Sequence, residues 1–344
     1  MKSNIALLMS ILLATLCVSA AQAADSYTAP RTEWGQPDLQ GVWSFASNTP
    51  MQRPERFASQ EFLTPEEVEK EIARQEARRA KADAAAAVRL VNPEAPPAGD
   101  NTGGYNDFWV ESAGIGDNVR TSHIVYPLNG RMPSIVEGVK VARGGLGPDV
   151  PGERPVLYTV GGIAKDGPED RGLSERCIVG FNSGPPFNPS LYNNNVQIFQ
   201  NRDHAVILTE MIHDARIVPI GDRGPIDENI GLWSGDSRGH WDGDTLVVVT
   251  KNFNGRVSSF FGAGNSKNKT LTERFTRVNM DTVNYEWTID DPSTFTDKIT
   301  AIVPMTKVAQ LYEYGCHEGN YGMVNILRGE RIAEQRATTS EGSN

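Results

Sequence analysis

Leu271-Thr-Glu-Arg-Phe-Thr-Arg-Val278, then Asn279-Met280-Asp281, then Thr282-Val-Asn-Tyr-Glu-Trp-Thr-Ile289 decides the fold. Two runs of β-forming residues flank a short polar turn, which is the pattern of an antiparallel hairpin. The same pattern recurs on either side. Ser237–Trp241 and Thr245–Thr250 flank Asp242-Gly243, a pair that takes the positive φ angles of a tight turn. Val196–Gln200 and His204–Glu210 flank Asn201-Arg202-Asp203. Ala215–Ile220, Lys298–Val303 and Val308–Tyr314 read as further strands, with Val42–Phe45 and short pieces near Ile124 and Leu157 completing the set. No helical crossovers separate them. Consecutive antiparallel strands without crossovers predict a mainly β chain, either an antiparallel lipocalin-like barrel or a curved meander sheet.

Outside this meander one helix stands out. Thr64 is an N-cap, Pro65 occupies the first helical position and Glu67 completes a capping box. From Glu66 to about Val88 the chain is rich in Ala, Glu, Arg and Lys with a thin apolar stripe, which predicts a solvated N-terminal helical arm. Residues 91–104 have the composition of a linker, and 141–195 are dense in Gly, Pro and Asn.

The first residues predict export. Lys2, an apolar run from Ile5 to Val18, and Ala21 and Ala23 form a signal peptide with cleavage after Ala23 or its neighbour Ala24. The expected organisation is a signal peptide over 1–23, then strand, helical arm and linker over 24–104, then one β-barrel-like domain over 105–344. Lys2 is the only charge before Ala23, so cleavage changes 33 Lys+Arg against 43 Asp+Glu to 32 against 43. That acidity argues against nucleic acid or an anionic membrane surface as partner. No stretch after the leader is long and apolar enough to span a bilayer, so the expected location is the periplasm without membrane insertion. Of the three cysteines only Cys177 and Cys316 follow the leader, and in an oxidising compartment they most simply form one disulfide, with two buried thiols as the alternative.

Several motifs resemble a group of secreted bacterial proteins with a Pro-Asp-Leu-Gln-Gly-(Val/Ile)-Trp start and a Cys-His-Glu-Gly-Asn motif near the C-terminus. They are Gly35–Trp43, Tyr105–Trp109, Arg120–Ser122, His213–Arg216, Gly235–Leu246, Glu273–Phe275 and Cys316–Asn320. The resemblance spans most of the chain after the leader and implies a lipocalin-like barrel. It carries no reaction that transfers residue by residue. The Gly41-x-Trp43 start is similar to that of lipocalins.

Candidate chemistry lies in polar clusters, each with an ordinary structural alternative. His213-Asp214-Ala215-Arg216 offers a base and a cation, or a rim histidine with Arg216 in an ion pair. Cys316-His317-Glu318 offers a histidine and a carboxylate held by a disulfide, or plain turn chemistry. Arg238 and His240 share one strand face, forming an anion-binding wall if inward and surface polarity if outward. Glu273 is a buried acid or a member of a cross-strand ion pair. Tyr105 and Trp109 lid a pocket or plug a barrel end, and Asn194 makes a turn or binds ligand.

None of the five histidines (123, 204, 213, 240, 317) shows H-x-H or H-x-x-x-H spacing, so no metal site is expected from sequence. No Walker loop or dinucleotide fingerprint is present. The expectation is therefore a cofactor-independent lyase, hydratase or isomerase that moves a proton on a small organic molecule in a barrel cavity. His213 or His317 would be the base, Glu273 or Glu318 its partner, and Arg216 or Arg238 the cation stabilising negative charge. The rival is a non-enzymatic periplasmic carrier of an apolar or aromatic ligand.

Overall fold

The computed structural model describes residues 27–91, 111, 119–141 and 165–341. Its centre is one ten-stranded antiparallel sheet. The strands are β1 (Gly41–Ser44), β2 (Ile124–Tyr126), β3 (Asn195–Gln200), β4 (His204–Thr209) and β5 (Ala215–Pro219), then β6 (Asp236–Asp242), β7 (Thr245–Lys251), β8 (Thr270–Asn279), β9 (Thr282–Asp290) and β10 (Ile299–Val308). They run in the order β5-β4-β3-β1-β10-β9-β8-β7-β6, with β2 on β10 off the path. β1, from the N-terminal part of the chain, lies between β3 and β10 in the middle of the sheet.

The hairpins form where the alternation predicts them. In β8–β9, Leu271, Glu273, Phe275 and Arg277 lie opposite Ile289, Trp287, Tyr285 and Val283, and all eight face inward. The β6–β7 turn puts Gly243 at φ 58°, a conformation that costs glycine little.

The sheet curves but does not close into a barrel. Nine strands alternate in direction along the path, so its two ends, β5 and β6, run the same way. Closure would need a parallel ladder, with slanted bonds and weaker pairing. Between these two ends the described residues form a single parallel bridge, Ile220 with Gly239, with the Gly221 amide donating to the Gly239 carbonyl at 2.9 Å. The curved meander is the form realised.

The concave side is packed rather than hollow. Trp43, Phe45, Phe187, Phe275, Tyr285, Trp287 and Phe295 belong to one buried cluster drawn from across the sheet. Phe187 stacks on Phe45 at 5.1 Å and meets Tyr285 at 5.0 Å. Each such ring removes 150–250 Å² from water, worth roughly 4–6 kcal/mol before entropy is counted.

Two elements differ from the expectation. Lys298–Val303 and Val308–Tyr314 are not two strands: β10 is continuous through Pro304, and the chain after Val308 leaves the sheet. Pro304 sits between the parts of β10 that pair with β2 and β1, where its missing N–H disturbs the ladder least. A C-terminal helix, Tyr321–Glu341, follows and was not expected from sequence.

The predicted arm is present as α1 (Pro65–Val91); the C-terminal helix is α2. The capping box forms in both directions, with the Thr64 amide donating to Glu67 at 2.8 Å and the Glu67 amide to the Thr64 hydroxyl at 3.3 Å. The piece near Leu157 and most of the 91–104 linker lie outside the described residues. Among the described residues no helix is long and apolar enough to cross a membrane.

Candidate functional site

The residues singled out in the sequence separate into different places. Arg216 and Glu273 meet inside the curved sheet. β5 turns Arg216 inward, and its guanidinium makes a two-pronged ion pair with Glu273 of β8, Nη2 to Oε1 at 2.9 Å. The Tyr285 hydroxyl donates to the same carboxylate at 2.7 Å and accepts from the Phe187 amide at 3.2 Å. Glu273 is fully buried. Burial, with the Glu273 charge, pushes the Tyr285 hydroxyl well above its usual range.

Lys269 lies close by, against the Phe253 ring at 4.2 Å, and burial lowers its ammonium to about 8. With one oxygen of Glu273 taken by Arg216 and the other shared by Arg216 and Tyr285, this is a satisfied buried network. It ties β5 to β8 and β9 across the concave face.

The histidines are elsewhere. His213 and His317 approach one another, ring centroids 6.4 Å apart, but both are exposed. His213 sits in a short turn, Met211–His213, in which Ile212 and His213 both have positive φ (67° and 48°). His317 follows Cys316, which is disulfide-bonded to Cys177 as expected. So His213, Arg216, Glu273 and His317, expected around one barrel cavity, fall instead into an exposed pair and a buried pair. The strand face explains the split: β5 points Arg216 inward, while His213 lies before the strand, in a turn that faces solvent.

Arg238 and His240 share the outer face of β6. Arg238 donates to Asp236 at 2.6 Å and to the Gly224 carbonyl at 3.0 Å, so it ties the preceding loop to the outer face of β6 and forms no wall inside the sheet. Glu318 is exposed. Asn194 is fully buried with its amide saturated: Nδ2 donates to Glu111 at 2.7 Å and to the Ser190 carbonyl at 3.0 Å, and Oδ1 accepts from the Ser190 amide at 2.7 Å. It holds the loop together and has little left for a ligand. Tyr105 and Trp109 lie outside the described residues.

The sequence reasoning missed the convex side. There a half-open groove of about 2140 Å³ runs between the first turns of α1 and the outer faces of β1, β3 and β10. Glu67, Lys70, Glu71, Arg74 and Gln75 of the helix form one wall; Ser44, Asn195, Thr306 and Val308 of the sheet form the other. α1 is thus a wall of the groove as well as an arm.

Two carboxylates meet at this groove through one turn. Glu111 accepts from the Asn194 backbone and side-chain amides, and Glu210 accepts from the Asn195 side chain at 2.5 Å. Glu210 is only 3 % exposed. Burial raises its carboxyl above the usual range and the Glu111 charge adds to this, against hydrogen bonds from Asn195 and Asn193 that pull it down.

His123 also lines the groove, bonded through Nδ1 to the Ile302 carbonyl and through Nε2 to the Ser47 hydroxyl, each at 2.8 Å. Burial lowers it to about 4, so it is neutral at ordinary pH. The available signal was the Asn193-Asn194-Asn195 run; nothing local in the sequence marked Glu111 or Glu210 as its partners.

Among the described residues no group of three or more His, Cys, Asp or Glu is arranged to hold a metal. A scan against protein-family models returns no match, and a search of curated proteins returns none either.

Proposed function

We propose that this chain handles a small organic molecule in the groove between α1 and the sheet, by proton transfer of the lyase, hydratase or isomerase kind. The reading rests chiefly on Glu210. A carboxyl buried at the wall of a groove, with its acidity weakened by burial and by a second carboxylate nearby, suits a general acid or base. Asn193 and Asn195 fix its orientation, and neutral His123 and the amide-lined turn supply fixed dipoles. The Arg216–Glu273 pair is assigned to the scaffold, since both Glu273 oxygens already accept bonds and both terminal nitrogens of Arg216 are committed to them.

We place the protein in the periplasm, with residues 1–23 as a cleaved leader. The Cys177–Cys316 disulfide and the motif resemblance to secreted bacterial proteins support that setting. A second reading, a carrier without turnover, is favoured by the openness of the groove, because proton-transfer sites usually exclude water.

The test is incubation of the purified protein with a small-molecule extract of its source, followed by mass spectrometry. Turnover predicts a pair of species of equal mass, or differing by one water, whose interconversion stops with Glu210→Gln. Retention of an unchanged molecule that protects the groove supports the carrier. Interconversion that persists in Glu210→Gln would overturn the groove assignment.

A further inference from the structure

We propose that His213 and His317 together form a binding site for a divalent transition-metal ion of the imidazole-preferring class, Zn²⁺ or Cu²⁺, at the disulfide-pinned edge of the molecule. The two rings come from segments about a hundred residues apart, yet their centroids lie 6.4 Å from one another. Neither ring has a hydrogen-bond partner among the described residues, so both keep a nitrogen lone pair to give. Metal–nitrogen bonds of about 2.0–2.1 Å put the centroids of two imidazoles on one ion roughly 5–6 Å apart. The gap to be closed is less than an ångström-scale swing of two exposed side chains.

The backbone fixes both ends of this pair. On one side, two consecutive non-glycine residues, Ile212 and His213, hold left-handed conformations, with Ile212 buried as the anchor. Such positions are strained for residues with a side chain and persist only where the surroundings impose them. On the other side, Cys316 is bonded to Cys177, and Cys177 packs with Met211 and Ile212 in one small apolar cluster. The disulfide therefore docks the segment carrying His317 onto the turn carrying His213. Two pre-positioned imidazoles reduce the ordering that an ion would otherwise impose.

Among the described residues no third protein ligand is in place, so water completes the coordination shell and the ion stays exchangeable. Imidazole nitrogen suits Cu²⁺ and Zn²⁺ over Mg²⁺ or Ca²⁺, and Cu²⁺ binds tighter than Zn²⁺ at such a site. This assignment is independent of the groove: it requires neither Glu210 nor turnover.

The experiment uses oxidised, tag-free full-length protein titrated with Zn²⁺ and with Cu²⁺ by calorimetry, and Cu²⁺ paramagnetic resonance to count nitrogen ligands. The expected result is one equivalent bound with two nitrogens on Cu²⁺. His213→Ala and His317→Ala should each weaken binding at least tenfold, while His240→Ala, on the outer face of β6, leaves it unchanged. Both rings are exposed, so unfolding of the variants is not expected, and a thermal melt of each checks it. Absence of stoichiometric binding, loss in only one of the two variants, or equal loss in His240→Ala would overturn the proposal.

Discussion

Replacing Arg216 with methionine removes the cation from the pair that crosses the concave side of the sheet. The Glu273 carboxylate would remain fully buried, bonded only to the Tyr285 hydroxyl. Breaking a buried pair by deleting one partner costs about 3–5 kcal/mol, because an uncompensated charge is left out of water. A similarly long apolar side chain keeps the packing against Phe187, which lies 6.0 Å from the guanidinium, so the loss reports on charge rather than on a cavity. Urea denaturation followed by tryptophan fluorescence measures the change as a shift of the midpoint at constant slope. The Arg216→Met/Glu273→Met double variant should recover most of the loss, since an apolar replacement of a buried ion pair is commonly neutral or stabilising. A loss below about 1 kcal/mol in the single variant, or no recovery in the double, would refute the structural role. The catalytic role expected from the sequence makes the contrary forecast of intact stability and lost turnover.

Further outcomes follow from other parts of the chain. His123 has a folded-state value of about 4 against 6.5 for the free side chain, so between these values only the unfolded chain takes up the proton. Stability should therefore be full above pH 6.5 and fall by about 3 kcal/mol as the pH drops to 4, a slope that His123→Asn should flatten in acid denaturation series. Cys177→Ser/Cys316→Ser opens a loop closed over a sequence separation of 139, and the chain-entropy model puts the cost at about 5 kcal/mol; unchanged thermal melting would count against it. Removing residues 62–90 should leave a folded sheet by near-ultraviolet dichroism while abolishing any ligand protection of the groove, because α1 contributes a wall and little core.

What the sequence disclosed, and what it hid, follows from the range over which each signal acts. The β8–β9 hairpin and the Asp242-Gly243 turn were readable because alternation and turn chemistry are local. That Glu273, Phe275 and Arg277 share one face follows from the same period, whereas which face turns inward does not. Whether the sheet closes was not readable, since it depends on the relative direction of two strands at opposite ends of the path.

The C-terminal helix was obscured by Gly322 and Gly329, which weaken helical propensity within Tyr321–Glu341. His213 and His317, read as alternative bases, lie near one another on the surface, while Arg216 and Glu273 take a separate place inside. The groove was hidden for a different reason. Its walls are outer-face strand positions and a polar helix, which by composition resemble any solvated surface.

The setting of Glu210 is the claim on which the groove assignment depends, and a carbon-detected NMR titration of its side-chain carboxyl tests it most directly. The account predicts a midpoint above 4.5, with the side-chain amides of Asn193 and Asn195 shifting at the same pH as their acceptor gains its proton. A midpoint at or below 4.5, or amides indifferent to the titration, would contradict it.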